Sequence, residues 1–284
     1  MIDYNISPFH QDEADVRLAD AMLFAALKSA LGDRIEPFNS IHDRKGDRPL
    51  WGPDPWKNEA AGMRMRRAAY EEPAVVAALG RGKFLPAHEV QAEMDRLAAQ
   101  GSGAAIRNMV DPANRKRFLP PGSRFDGVNR EHIRADGPGF TILVHPYRQA
   151  CWERRFLVVA GAIVAESPLR FCEEEPAMLL DPQNRLREAR DPWRPLEEPD
   201  MDRIGLLHAA ADALLRDWPL VSGAIDVGMV DGPDGPRAQV TEVTAARPGD
   251  VGILFADPVA YARAIAENLF LLEPSLAEDP FPPP

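Results

Sequence analysis

Residues 224–245 read AIDVGMVDGPDGPRAQVTEVTA, two β-rich runs on either side of a Gly/Pro turn, with one carboxylate in each run. Strand side chains alternate between faces, so Asp226 points away from Ile225 and Val227, while Val240, Glu242 and Thr244 share one face of the second run. A turn centred on Asp234 sets Asp226 opposite Glu242. Like charges facing each other across two strands are destabilising, and a bound cation or a shared proton relieves the repulsion. Oxygen donors with no nearby His or Cys favour Mg²⁺ or Mn²⁺ over zinc. Spacing alone leaves a second reading open: a turn shifted by one residue sends both acids into solvent.

A second hairpin lies upstream. ERRFLVVAGAIVAESP, residues 153–168, holds two apolar runs around Ala160-Gly161. Glu153, Arg155 and Leu157 share a face, and a turn at 160–161 sets Arg155 opposite Glu166. Two readings follow. One is a cross-strand ion pair on a sheet surface, which contributes little. The other is an arginine held on a rigid strand to grip a phosphate or carboxylate through two N–H groups.

Apolar periodicity predicts helices over 12–34, 57–70, 72–80, 86–101, 201–218 and 257–272. Short strands are expected at IEPF (35–38), AAIRNMV (104–110) and FTILVHP (140–146). The segments 39–57 and 111–127 read as loops, the second one basic, and the acidic, Pro-rich stretch 172–200 reads as an insertion. The order of elements predicts an α+β fold with helices covering one side of an antiparallel sheet. The expected division is a small N-terminal α/β lobe over 1–85 and a larger domain over 86–284, ending in a loose proline-rich tail. Trp51 and Trp56 read as a turn packed on the core, and His145 as structural.

Composition narrows the function classes. A net charge of -11 argues against nucleic-acid binding through bulk charge. No window approaches the roughly 18 apolar residues that span a bilayer, and the polar N-terminus lacks the apolar stretch of a secretory signal. Two cysteines make neither a disulfide framework nor a zinc spacing. The expectation is a cytoplasmic protein with no membrane or nucleic-acid partner.

The hairpin ERRFLVVAGAIVAES resembles the E-x-R-x-F/L-V-V-x-G-x-I/V-V-A-x-S hairpin of ATP-grasp proteins, in particular a small bacterial and phage group named for one arginine and two lysines near the nucleotide. The run AIDVG, then VTEVTA and GDVG, is similar to that group's D-V-G strand, its hydrophobic-E-x-N strand and a Gly-containing loop. The helix between the motifs and the one opening on Asp257-Pro258 stand where the family has them, so the resemblance covers roughly 86–270.

The resemblance implies ATP held between two α+β lobes, with Mg²⁺, or Mn²⁺, bound by Asp226, Glu242 and Thr244, the last standing where the family has Asn. It implies transfer of the γ-phosphoryl group to a small-molecule or peptide carboxylate, followed by attack of an amine or other nucleophile on the acylphosphate. Arg155 matches the catalytic arginine of the E-x-R motif and also contacts nucleotide, and Glu153 matches its glutamate. Arg107 stands at the position of a nucleotide-binding lysine. Lys116 is the second cationic contact with nucleotide, or a solvated residue of a basic loop. Arg247 and Asp250 fall in a substrate-proximal loop. Two further readings stand beside the ligase. One is a non-catalytic binding or scaffold protein that keeps the fold, favoured by Thr244 and by the lack of a Gly-rich loop over the phosphates; AQGSGAA (99–105) is short and precedes its strand. The other is a metal-dependent phosphoryl-transfer or hydrolytic enzyme that does not use ATP.

Overall fold

The computed structural model describes residues 1–6, 14–38, 48, 50–52, 69–108, 116–132, 141–147, 150–168, 201–232, 235–246, 248 and 256–272. Trp56, the stretch 172–200 and the proline-rich tail lie outside the described residues.

Three sheets organise the described residues. The first is parallel, in the order β2-β1-β3, from β1 (Ile2–Asn5), β2 (Ile35–Phe38) and β3 (Leu50–Trp51). Helix α1 (Ala14–Leu31) connects β1 to β2. It stops at Gly32, which takes φ +58, and Lys28 Nζ donates to the carbonyls of Gly32 and Ile35, each at 2.9 Å. The second sheet is antiparallel, in the order β4-β7-β5-β6, from β4 (Lys83–Pro86), β5 (Gly103–Asn108), β6 (Lys116–Leu119) and β7 (Thr141–Tyr147). Helices α2 (Pro73–Ala78), α3 (Val90–Ala99) and α4 (Gly127–His132) belong to this stretch. The third sheet is also antiparallel, in the order β11-β10-β8-β9, from β8 (Ala150–Val159), β9 (Ala162–Pro168), β10 (Ser222–Gly232) and β11 (Gly235–Ala245). Helix α5 (Met201–Asp217) precedes β10, and α6 (Pro258–Glu267) follows β11. Asp257 caps α6 by accepting from the N–H groups of Val259 and Ala260, with Pro258 in the first turn.

The expectation that helices cover one side of the sheet is corrected for the third sheet. One face, through Phe156, Val158, Ile225, Val227 and Val243, packs on α5 and α2. The other face, through Leu157, Val159 and Ala224, packs on α1, α6 and the parallel sheet. Trp51 is fully buried in that second core, as a residue of the short β3. Where 111–127 reads as a basic loop, residues 116–119 instead form strand β6, paired with β5. The run Lys-Arg-Phe-Leu has the extended pairing of a strand despite its basic start: Leu119 is buried in a third core with Ile106 and Val144, and Phe118 stacks on Tyr147 with ring centroids 4.4 Å apart.

Both hairpins of the third sheet are bulged on their outer strand. In the second hairpin the tip pairs Gly232 with Gly235, so the turn is centred half a residue earlier than the sequence suggests. That register carried straight down the strands would set Asp226 opposite Thr241. A shift between Asp226 and Val227 leaves Thr241 as the extra residue and brings Glu242 opposite Asp226. The same bulge corrects the face of Val240, which is buried with Val243 and Ala245 rather than standing beside Glu242. In the first hairpin a shift between Leu157 and Val158 makes Val164 the extra residue, so Glu166 pairs with Phe156 and Ser167 with Arg155. The expected pairing of Arg155 with Glu166 is thereby corrected. It is Arg154 that holds Glu166, at 2.9 Å.

Candidate functional site

Asp226 sits between Ile225 and Val227, both fully buried, so its backbone is fixed from one face while its side chain points from the other. Arg155 of β8 is its register partner on one side and Glu242 of β11 its partner on the other. Arg155 donates twice to Asp226, Nε to Oδ1 and Nη2 to Oδ2, both at 2.8 Å, in the fork-to-fork geometry that suits guanidinium and carboxylate. Glu242 is held from the second sheet, where Arg107 Nη2 of β5 reaches its Oε1 at 3.1 Å. Four charges therefore cross two sheets in the order Arg155, Asp226, Glu242, Arg107. Glu153, two residues before Arg155, accepts from the hydroxyl of Thr241, which also lies 3.2 Å from the carbonyl of Asp226. Beyond the bulge, alternation puts Thr244 on the face of Glu242, level with Ala224.

The electrostatics follow from burial and proximity. Burial pushes the Asp226 carboxyl up, to about 6; the Arg155 guanidinium pulls it down, and the Glu242 and Glu153 carboxylates add to the rise. Burial works against the charge on Arg155, yet the hydrogen bonds and charge of Asp226 hold its pKa above the ordinary arginine value. Arg107 is also raised: its burial is outweighed by Tyr70 and Glu242. Both guanidinium groups are thus permanent cations facing carboxylates that lie largely out of water.

The donor set suits a hard divalent cation. Asp226, Glu242 and Thr244 are oxygen donors on one face, with both Asp226 oxygens engaged by Arg155 and Glu242 Oε1 by Arg107; Mg²⁺ is commonly held by one or two carboxylates together with phosphate oxygens. Among the described residues no group of three or more His, Cys, Asp or Glu forms a metal cage. A dehydrated, all-protein site such as zinc takes is thus not built from those residues.

Asp226, Glu242, Arg155, Glu153 and Arg107 come together in one cluster, with Thr244 on the same sheet face. Lys116 lies across from Arg107 in the register of β6 and β5. Arg247 and Asp250 lie outside the described residues. Two members of the cluster escape the sequence reading. Thr241 enters only through the bulge, which nothing in the residue pattern announces. Tyr70, in helical residues 69–71, lies under Arg107, whose Cζ is 4.8 Å from the ring centroid. His145 is buried, its Nδ1 3.2 Å from the Pro146 carbonyl.

No family model matches the chain, and no curated protein matches it. Solved structures do. A D-cycloserine synthetase is 18% identical with a TM-score of 0.51, the match covering 94% of this chain and 99% of that one. A D-alanine–D-alanine ligase from Bacillus anthracis is 12% identical with a TM-score of 0.49, covering 96% of each chain. An ATP-grasp ligase from Chryseobacterium gregarium, in complex with ADP and a leader and core peptide, is 11% identical with a TM-score of 0.48, again covering 96% of each chain. Only the first of these likenesses carries weight for the fold, and it spans almost the whole of both molecules. With two antiparallel sheets, their helices and an N-terminal parallel layer, the chain has an α+β, ATP-grasp-like fold.

Proposed function

We propose that the protein is an ATP- and Mg²⁺-dependent ligase that joins a carboxylate, on a small molecule or peptide, to an amine or another nucleophile. The observation that carries this reading is the row Arg155, Asp226, Glu242, Arg107, in which two oxygen donors stand side by side with a cation at each end. Asp226, Glu242 and Thr244 would hold Mg²⁺, with Mn²⁺ as a substitute; the ion supplies neutralisation of phosphate charge. Arg155 and Arg107, with Lys116, would carry the charge of the nucleotide, and Glu153 would keep the β8 end of the site in place through Thr241. Arg247 and Asp250 would contact the acyl substrate.

In the reaction a substrate carboxylate oxygen attacks the γ-phosphorus of ATP. The bond from that phosphorus to the bridging oxygen breaks, and ADP leaves with the electron pair. The nucleophile then attacks the acyl carbon of the acylphosphate, expelling phosphate and losing a proton. Arg155, fixed on a strand in the middle of a sheet, would stabilise the charge gathering on the transferred group without reorganising. The domain division at 85/86, a place in the group with one arginine and two lysines, and action in the cytoplasm belong to the same proposal. Among the described residues no helix is long and apolar enough to cross a membrane.

The test is thermal stabilisation by a non-hydrolysable ATP analogue with and without Mg²⁺, repeated on Asp226→Asn and Glu242→Gln. A Mg²⁺-dependent shift that both substitutions remove is the expected result. No shift at millimolar nucleotide would reject the ligase. A shift that survives both substitutions would keep nucleotide binding and remove the metal assignment. One observation favours the non-catalytic alternative: the row already neutralises itself, each carboxylate by one guanidinium, so the fold holds without a cation. That reading expects nucleotide binding without turnover of any carboxylate.

A further inference from the structure

Tyr70 is fully buried and touches both sheets at once. Its ring lies under the guanidinium of Arg107, on β5. Its hydroxyl accepts the N–H of Val243 at 3.3 Å, one residue past Glu242 on the edge strand β11. One side chain thus meets a cation carried by the second sheet and the strand that carries that cation's carboxylate partner. A core filler accounts for neither contact. An apolar aliphatic residue of similar volume would fill the space, but it would offer neither a negative ring face to the guanidinium nor an acceptor to the edge-strand amide. Burial raises the phenol pKa well above its ordinary value, so the ring is neutral under all working conditions and keeps its hydroxyl. Arginine is a long, flexible side chain, and a plane beneath its fork restricts the orientations open to it.

We infer that Tyr70 is a positioning residue for the site: it holds the Arg107 fork in the plane that meets Glu242 and ties the Glu242 strand to the same support. Its consequence for nucleotide binding rests on the ligase reading, whereas the contact with the ion pair does not.

The experiment varies the ring's electrons and keeps its shape. Position 70 is filled in turn by tyrosine, phenylalanine, and phenylalanine bearing one, two and three ring fluorines, with Tyr70→Leu as the apolar control. In each background the coupling between Arg107 and Glu242 is read from a double-mutant cycle of Arg107→Gln and Glu242→Gln in urea unfolding. The coupling is expected to persist in Tyr70→Phe, to fall stepwise with fluorination, and to vanish in Tyr70→Leu. Affinity for the Mg²⁺ complex of the ATP analogue is expected to fall about 30-fold in Tyr70→Leu, on the scale of a desolvated cation–π contact. It should stay within about 3-fold in Tyr70→Phe, and Tyr70→Leu should add nothing to Arg107→Gln. A coupling that ignores the fluorine series overturns the inference, because a merely structural ring would respond to shape alone. If Tyr70→Leu does not fold, the fluorinated series still decides. A wild-type protein that binds no nucleotide removes the ligase reading, and the coupling series then judges Tyr70 by itself.

Discussion

The two hairpins of the third sheet carry the same irregularity and use it for different ends. Each has its bulge on the outer strand, β9 in one and β11 in the other, with β8 and β10 side by side at the centre. Each bulge turns two consecutive side chains toward the same face. In β9 these are Val164 and Ala165, which pack against the core beneath α1 and α6. In β11 they are Thr241 and Glu242, which contact Glu153 and Arg107. An extra residue on an edge strand increases local twist and discourages pairing with another chain. The difference shows that the backbone device is neutral: the same doubling closes a core when its residues are apolar and builds a site when they are polar.

The comparison can be broken at the central strands first. Arg155→Met would leave Asp226 buried without its bidentate partner, with an expected loss of about 3–5 kcal/mol in urea unfolding. A loss below 1 kcal/mol would mean that Asp226 finds another cation or takes up a proton. Next comes Gly223→Ala. A Cβ there would lie 2.0 Å from the Thr244 carbonyl oxygen, so the two strands must part just before the acid pair, at an expected cost of about 2–3 kcal/mol. The effect of pH can also be signed. The Asp226 carboxyl is raised from 3.8 to about 6 on folding, so it binds its proton more tightly in the folded state. The stability it contributes is complete below pH 3.8 and is lost as the pH rises through about 6. The advantage of wild type over Asp226→Asn should therefore shrink between pH 4 and pH 7; unfolding midpoints that differ by a constant amount would show that the carboxyl is not raised.

The two bulges themselves are compared by exchange. Thr241→Val removes the hydroxyl that Glu153 accepts from, and Val164→Thr puts a hydroxyl against an apolar core; about 1 kcal/mol is expected from each. If Thr241→Val is silent while Val164→Thr is not, the polar bulge contributes shape alone. The smallest effect belongs to Arg154→Met. Its partner Glu166 has a side chain 37% exposed, and less than about 1 kcal/mol is expected. A loss as large as that of Arg155→Met would erase the contrast between the two faces of β8.

The hairpins and α6 are legible because each is periodic and bounded by a strong signal: Ala160-Gly161, the Gly/Pro turn, or the Asp257-Pro258 cap; α5 is legible from its amphipathic period alone. The acid pair is legible as well, though through two offsetting departures. The turn sits half a residue from the expected centre, and the bulge at Thr241 makes up the difference. In the first hairpin no such offset occurs, and the expected partner of Arg155 fails by one position. Bulges depend on twist and on neighbouring strands, which a linear pattern does not encode. For the same reason the second sheet is harder to read. Strand β6 begins with two basic residues and β4 spans only four, so their strand character comes from pairing with β5 and β7. Tyr70 and Arg107 meet only because two sheets do, and no spacing rule connects residues brought together in that way.

The row of four charges has a further consequence. Taken alone, the row has cations at its ends and anions at its centre and sums to zero, while Glu153 beside Arg155 adds a negative charge to the cluster. The row's own field falls off faster than that of a single ion or a dipole, so it does little to draw a ligand from a distance. At contact the row is complementary to the inverse pattern, positive in the middle and negative at both ends. Leu157, Val159 and Ala224, on the same face of the sheet, form an apolar flank that leaves this short-range preference poorly screened on one side.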